Sequence, residues 1–355
     1  MVSQPRIAIA AGGTAGHVVP ALAVADALVT QGASVFFIGG DRAERELVPA
    51  AGYQLERIDV RGLDRHSPLK ASAALARSAA ATARARRLLR REGAGAVLGA
   101  GGYVAGPVVL AGAALRLPIV LCEADSHLGL TNRALAPLAR RVCLAFPIAS
   151  RSGPRYLVTG RAVPPVRAER AAVRQSVGLG SWEQLVFVFG GSLGARSINE
   201  AALAGLVGAS FRVLHVTGTR DWAELRTREH GGLYELREYL SPKDFDAALA
   251  MCDLVVARAG GSIFEIAAHG RPAILVPYPH ATGDHQSANA AWMADHGAAV
   301  VIADAELSGP RLAGEVGRLI GDPARLAAMS RASRALARPD AAKAIAAEVL
   351  AVAHR

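Results

Sequence analysis

His17 closes a glycine turn, Gly12-Gly-Thr-Ala-Gly16, and opens the helical run His17 to Leu28, in which Pro20 is tolerable only near the helix start. An imidazole placed there feels the positive end of the helix dipole, which disfavours its charged form and leaves it able to accept a proton at neutral pH. The plainer alternative is a histidine that only hydrogen-bonds the loop. A second glycine turn, Gly190-Gly-Ser192-Leu193-Gly194, stands at the same place in a second strand-turn-helix run. Either turn can aim backbone N–H groups at a phosphate, although a bare tight turn accounts for one such loop alone. The run from Ala257 to Asn289 is the most polar stretch between apolar segments. In it Gly260 and Gly261 let a diphosphate approach the next helix start, and Glu265, one turn inside, can accept hydrogen bonds from ribose hydroxyls. Ser262 and Glu265 also have capping-box spacing, which by itself does no more than satisfy the helix end.

Metal chemistry is not expected. Asp244-Phe-Asp246 has the form of a metal-holding D-x-D pair, yet Ser241-Pro242-Lys-Asp244 is a well-formed helix start, with Ser at the cap, Pro first and Asp third. That explains the carboxylates without an ion. His280 and His285 bracket a glycine loop without a cysteine or a defined third ligand.

Such residues need rigid elements behind them, and short apolar runs alternate with Ala/Leu/Arg-rich helical stretches along the chain, an α/β pattern. Strands are expected at 6–11, 34–38, 96–98, 119–122, 141–145 and 156–159, then at 185–189, 212–216, 254–257, 273–276 and 299–302. Arg161 to Arg167, with Pro164-Pro165, reads as an interdomain linker. The repeated strand, glycine turn and helix predicts two Rossmann-like domains facing each other across a cleft, at 1–162 and 163–334, with a helix near 335–355 packing back on the first. Neither turn is G-x-G-x-x-G, and Asp41 follows Gly13 by 28 positions where the dinucleotide fingerprint wants ~20, which demotes nicotinamide binding.

The 355 residues are 52% hydrophobic and 20% charged, which excludes a disordered chain. The longest apolar stretch, Val104 to Leu115, falls short of the ~20 residues of a membrane span, and no signal peptide precedes the first strand. Forty basic against thirty acidic residues give +10, so a polyanionic partner is expected. With 5% aromatics and no interleaved basic-aromatic stretch, nucleic acid ranks below an anionic membrane or a phosphorylated substrate. Lys70 to Arg91 reads as a basic helix whose Arg77, Arg84, Arg86, Arg87, Arg90 and Arg91 could face headgroups while Leu69, Leu75, Leu88 and Leu89 dip into a bilayer. A solvated basic face fits that composition equally well. Cys122, Cys143 and Cys252 read as reduced, buried thiols.

Gly12-Gly-Thr-Ala-Gly-His17 with Pro20, Leu98-Gly-Ala-Gly-Gly-Tyr-Val-Ala-Gly-Pro107, Gly129-Leu-Thr-Asn132, Gly191-Ser-x-Gly-Ala-Arg196 with Asn199, and the Arg258 to Asn289 run occur in this order over nearly the whole chain. Together they resemble the glycosyltransferase family 28 enzymes that add N-acetylglucosamine to the lipid-linked muramyl-pentapeptide of peptidoglycan. The resemblance implies the GT-B fold, UDP-N-acetylglucosamine as donor, undecaprenyl-pyrophosphoryl-muramyl-pentapeptide as acceptor, inversion at the anomeric carbon and no metal or other cofactor. It also implies a peripheral protein on the cytoplasmic face of the plasma membrane, bound to its anionic surface. Carried over by motif, His17 is the general base, with Thr14, Ala15 and Gly16 lining the reaction centre on the donor side. Gly102, Tyr103 and Asn132 fall on the acceptor side. Asp125 and Ser192 fall on the donor side, Ser192 at the diphosphate. Leu240 presents backbone to uracil, Gly260, Gly261 and Ser262 form the diphosphate loop, and Glu265 and Gln286 hold ribose and sugar hydroxyls. The chain departs from the family pattern at Cys122-Glu-Ala-Asp125, at Leu193 and at Gly160-Arg-Ala-Val-Pro164. A related transferase with another acceptor therefore stays open, and behind it a nicotinamide-dependent oxidoreductase.

Overall fold

Continuous apolar runs become the inner strands of two parallel sheets, because strands covered by helices on both faces have no polar side to show. The computed structural model describes residues 4–60, 68–228 and 230–353. Its first unit is Met1–Pro165 with Arg338–Arg355, its second Val166–Ala337.

In the first unit β1 (Arg6–Ala11), β2 (Ser34–Gly39), β3 (Gln54–Arg57), β4 (Ala96–Gly101), β5 (Ile119–Glu123), β6 (Arg141–Leu144) and β7 (Tyr156–Val158) pair in the order β3-β2-β1-β4-β5-β6-β7, all parallel. Helices α1 (Ala15–Thr30), α2 (Ala43–Ala50), α3 (Pro68–Arg91), α4 (Ala105–Ala114) and α5 (Leu130–Leu135) connect them. The second unit repeats the scheme with β8 (Leu185–Phe189), β9 (Arg212–Val216), β10 (Tyr234–Arg237), β11 (Leu254–Ala257), β12 (Ala273–Leu275) and β13 (Ala299–Val301) in the order β10-β9-β8-β11-β12-β13. Its helices are α6 (Arg170–Ser176), α7 (Arg196–Leu206), α8 (Trp222–Leu225), α9 (Pro242–Met251), α10 (Ile263–Ala268), α11 (His285–Asp295), α12 (Gly309–Ile320) and α13 (Pro323–Leu336). A last helix, α14 (Ala341–Ala353), returns to the first unit, where Ile345, Ala346, Val349 and Val352 pack with Ile7, Ile9, Val18 and Phe37.

Both orders reverse direction beside the unit's first strand, between β1 and β4 and between β8 and β11. Loops leaving the carboxyl ends of strands at such a switch point diverge and leave a crevice, which is where open α/β sheets bind ligands. The turns singled out in the sequence, 12–16 and 101–103 in the first unit and 190–194 and 258–262 in the second, all leave these four strands. The expected strands are present, but β3 and β10 had no counterpart among them. Both are edges, and β10 shows why such strands are faint in sequence: Tyr234 and Leu236 are buried while Glu235 and Arg237 are exposed, a two-residue apolar signal.

One expectation for α3 is corrected. Leu88 and Leu89 are 5% and 1% exposed and lie in the core with Ala81, Ala85, Phe36 and Val97. Burial stabilises each by roughly 1.5–3 kcal/mol, so they do not turn outward to meet a bilayer. Arg84, Arg86, Arg87 and Arg90 are exposed; the side chains of Leu69 and Leu75 lie outside the described residues.

Glycines set how closely the switch-point loops approach. A Cβ on Gly102 would stand 1.9 Å from the carbonyl oxygen of Gly12, and one on Gly194 would stand 1.9 Å from that of Thr217. Both glycines have positive φ. Gly208, with φ +81, has nothing within 4 Å of the same position. Gly194→Ala should therefore destabilise by roughly 2–6 kcal/mol, backbone strain plus steric displacement, against about 1 kcal/mol for Gly208→Ala. Chemical denaturation of the two variants measures the difference; equal losses would mean that the contact with Thr217 is slack.

Candidate functional site

The first unit's site is built on α1. Thr14 is its N-cap in extended conformation, with no side-chain cap bond, and Ala15, Gly16 and His17 form the first turn. Pro20 cannot donate to the carbonyl of Gly16 four residues earlier, which leaves an acceptor unfilled in the helix. The guanidinium of Arg161 fills it. The residue from the departed 160–164 stretch thus caps the turn that carries His17. Asp125 bears on the same imidazole by its charge, and a Cβ on Gly101 would come within 2.9 Å of His17 Nδ1.

His17 is half-buried. A small cavity of about 30 Å³ is bounded by His17, Pro20, Cys122, Cys143, Arg161 and Ile345 among others. Burial against this lining pushes the imidazole below its ordinary range; the positive charge of Arg161 acts in the same direction and the negative charge of Asp125 opposes both. The ring is therefore neutral at pH 7, as a proton acceptor must be. Cys122 is half-buried and Cys143 buried, both free thiols, and burial pushes Cys143 up to about 12. They are apolar lining, not nucleophiles.

Tyr103 lies against the glycine turn, with its ring carbon 3.3 Å from where a Gly13 Cβ would be and Arg42 stacked over it at 5.4 Å. Its hydroxyl donates to Glu44 at 3.4 Å. Asn132 is buried, and its amide donates to the Cys122 carbonyl and the Glu123 carboxylate, both at 2.9 Å. Glu123 also accepts from the Asp125 and Gly129 amides, at 3.1 and 2.9 Å, while burial holds its carboxyl above the usual range. Asn132 thus acts on the site through the loop that carries Asp125.

In the second unit Ser192 and Leu193 are exposed on the β8–α7 turn, and the Ser192 carbonyl accepts from Thr219. Asn199, buried on α7, holds the neighbouring Thr217 carbonyl at 3.0 Å and takes a bond from His215, which burial pushes down to about 3. Leu240 follows β10, half-buried, just before the Ser241 cap of α9. Ser241 accepts from the Asp244 amide, and Asp246 accepts from the amides of Arg167 and Ala168 and pairs with His269 at 3.0 Å. Asp244 thus belongs to the α9 start, and Asp246 ties α9 to residues 167–168 and to His269.

Gly260, Gly261 and Ser262 link β11 to α10. The Ser262 side chain makes no cap bond, so the capping box does not form there. Gln286, at the start of α11, has its amide nitrogen 3.8 Å from where a Gly260 Cβ would be, and its oxygen accepts from the Tyr278 amide. The 260–262 loop and Gln286 are therefore neighbours, and Glu265 lies on α10 directly behind that loop.

Two charged side chains given no role in the sequence reading hold these loops. Arg258 donates to the carbonyls of Val276 and Pro277, to Asp304 at 2.6 Å and to Ser197 at 2.9 Å, tying together the ends of three strands and the start of α7. Glu44, fully buried, accepts from the amides of Gly13 and Gly40, both at 2.8 Å. A lone arginine at a strand end hinted at the first. Nothing local signals the second, whose partner Gly13 is 31 residues away.

Residues 7–144 match the glycosyltransferase family 28 N-terminal domain and residues 185–345 its C-terminal domain. The chain belongs to glycosyltransferase family 28. The UDP-N-acetylglucosamine--N-acetylmuramyl-(pentapeptide) pyrophosphoryl-undecaprenol N-acetylglucosamine transferase of Moorella thermoacetica is 41% identical, with 96% of this chain and 97% of that one covered. The protein of the same name from Stutzerimonas stutzeri is also 41% identical, over 98% and 99%. The crystal structure of Acinetobacter baumannii MurG superposes with TM-score 0.77 at 28% identity, covering 98% of this chain and 99% of that one. The two Rossmann-like units of this family 28 member are those of the GT-B class expected from its sequence.

The electrostatics at His17 can be read directly. Its imidazole should titrate below 6.5 in an NMR titration of histidine-labelled protein, with the signal assigned by its loss in His17→Ala. Asp125→Asn removes the charge that favours the protonated form and should lower the midpoint further; Arg161→Gln should raise it. A His17 midpoint at or above 6.5 in the parent would contradict the apolar lining.

Proposed function

We propose that this family 28 member is an inverting transferase that moves N-acetylglucosamine from UDP-N-acetylglucosamine to the lipid-linked muramyl-pentapeptide, turning lipid I into lipid II. The single observation that carries this reading is an imidazole on the first turn of α1, set beside Arg161 and a largely apolar cavity, in a chain of this family.

A sugar hydroxyl is a poor nucleophile. His17 would take its proton as the oxygen attacks the anomeric carbon from the face opposite UDP and the bond to the diphosphate breaks, a contribution typically worth ~10²–10⁴ in rate. Thr14, Ala15 and Gly16 flank that centre, and Tyr103 with Gly102 borders the acceptor. The charge arriving on UDP is met by backbone N–H groups of the 260–262 loop and the Ser192 turn, dipoles already oriented before the reaction. Glu265 and Gln286 hold hydroxyls of the donor, and Leu240 offers backbone to its base. On this reading the protein needs no metal or other cofactor.

No helix among the described residues is long and apolar enough to cross a membrane. We place the protein on the cytoplasmic face of the plasma membrane, held by charge. Support comes from α3, whose Arg86, Arg87 and Arg90 are exposed and have no ion-pair partner among the described residues. Arg91, in contrast, is engaged by Glu56 and Glu92.

Acceptor-dependent release of UDP from UDP-N-acetylglucosamine with a lipid-linked muramyl-pentapeptide tests the activity. His17→Ala should lower kcat by on the order of 10²-fold or more with UDP affinity unchanged, since the proton moves only in the transition state. Loss of UDP affinity with kcat intact would reduce His17 to a loop residue. The membrane arm is separate: sedimentation with anionic but not neutral vesicles, weakening as salt shortens the screening length. Arg86, Arg87 and Arg90 changed together to Gln should abolish it, and equal sedimentation of variant and parent would assign those arginines to solubility.

A further inference from the structure

Glu44 is the only carboxylate of α2 that is wholly enclosed, and its surroundings are shaped around it. A Cβ on Gly12 or Gly40 would stand 2.9 or 3.0 Å from its Oε1, and one on Gly39 would stand 2.8 Å from its Cγ. Each oxygen receives one backbone amide, Oε2 from Gly13 and Oε1 from Gly40, and Oε1 also receives the Tyr103 hydroxyl. These three groups belong to the loops after β1, β2 and β4. A buried carboxylate costs stability unless its lone pairs are filled, and here donors from three loops fill them.

We propose that Glu44 is a positioning residue for the transfer reaction: its carboxylate bridges the Gly13 and Gly40 amides and receives Tyr103, fixing the turn that carries His17 and the acceptor-side tyrosine in one arrangement. Gly13 has φ +106, a conformation that a glycine leaves freely when nothing holds it. Glu44 holds the Gly13 amide at 2.8 Å, while the Gly13 carbonyl accepts from the Ala43 amide at 3.5 Å, and the next residues of the chain are Thr14 and the first turn of α1. The role needs a carboxylate. Glutamine keeps one acceptor oxygen but turns an NH₂ toward one of the two amides, two donors facing each other. The same charge also turns the Gly13 amide inward, so this turn offers an anion less than its counterpart at 190–194.

The kinetic arm rests on the proposed transferase activity; the structural arm does not. Glu44→Gln and Gly40→Ala are compared with the parent; the second variant's Cβ would meet the Tyr103 hydroxyl at 2.8 Å and Glu44 Oε1 at 3.0 Å, displacing both ends of that bond without removing either. Both should lower kcat about 10-fold or more at unchanged KM for UDP-N-acetylglucosamine, as expected when a catalytic group is misplaced by a fraction of an ångström. Both should also raise exchange of the Gly13 amide about 10-fold or more and move the His17 midpoint toward 6.5 as its packing loosens, with Arg161 and Asp125 unchanged. In His17→Ala, adding Glu44→Gln should cost little more kcat, because the two act as one unit. Folded variants with a lower thermal midpoint but parental kcat, Gly13 exchange and His17 titration would overturn the proposal and leave Glu44 a stabilising residue only. If Glu44→Gln does not fold, Gly40→Ala decides. If the parent releases no acceptor-dependent UDP, the functional reading fails, and Gly13 exchange with the His17 titration still judges Glu44.

Discussion

Everything at these sites depends on backbone touching backbone. Gly102 meets the Gly12 carbonyl and Gly194 meets the Thr217 carbonyl with no room for a single methyl group between them. Hydrogen bonds can be exchanged for others, but a contact of this kind has no substitute: any side chain forces the loops apart. The parallel sheets bring the loops to the same rim through their strand order, and the glycines then decide how near each other they run. Groups on neighbouring loops, such as His17 and Gly101, consequently have little freedom to drift.

Once the loops are that close, their polar groups must be satisfied from within, and charged side chains supply many of the partners in both units. In the first unit Glu44 takes the amides of Gly13 and Gly40, Glu123 takes those of Asp125 and Gly129, and Arg161 takes the Gly16 carbonyl. In the second the anchor is a guanidinium, Arg258, which takes the carbonyls of Val276 and Pro277. Carboxylates consume N–H donors, whereas a guanidinium consumes C=O acceptors and leaves donors to spare.

Much of this was legible in the residues themselves. The inner strands announce themselves because burial on both faces forces an unbroken apolar run such as Leu185–Phe189. The glycine turns and His17 are local patterns, and local patterns survive in one dimension. Two of the four edge strands did not stand out, since Gln54–Arg57 and Tyr234–Arg237 need apolar residues on one side only. Leu88 and Leu89 were misread because a basic helix with leucines looks alike whether the leucines meet a lipid or a sheet. Glu44 was invisible for a different reason: its meaning lies in two amides, one near in sequence at Gly40 and one distant at Gly13, and a backbone amide has no letter. The Arg161 bond to Gly16 was hidden likewise, although Pro20 does declare in sequence that some carbonyl must look elsewhere.

The return of α14 to the first unit makes that unit's construction a matter of timing. Ile345, Ala346, Val349 and Val352 cover the same apolar layer as Ile7, Ile9 and Phe37, which are translated well before them. The whole of Val166–Ala337 is made in between. The first sheet therefore waits with one face partly bare while the second unit is synthesised, and only the last helix completes its cover. During that interval the second unit, continuous in sequence, can finish folding first even though it begins later.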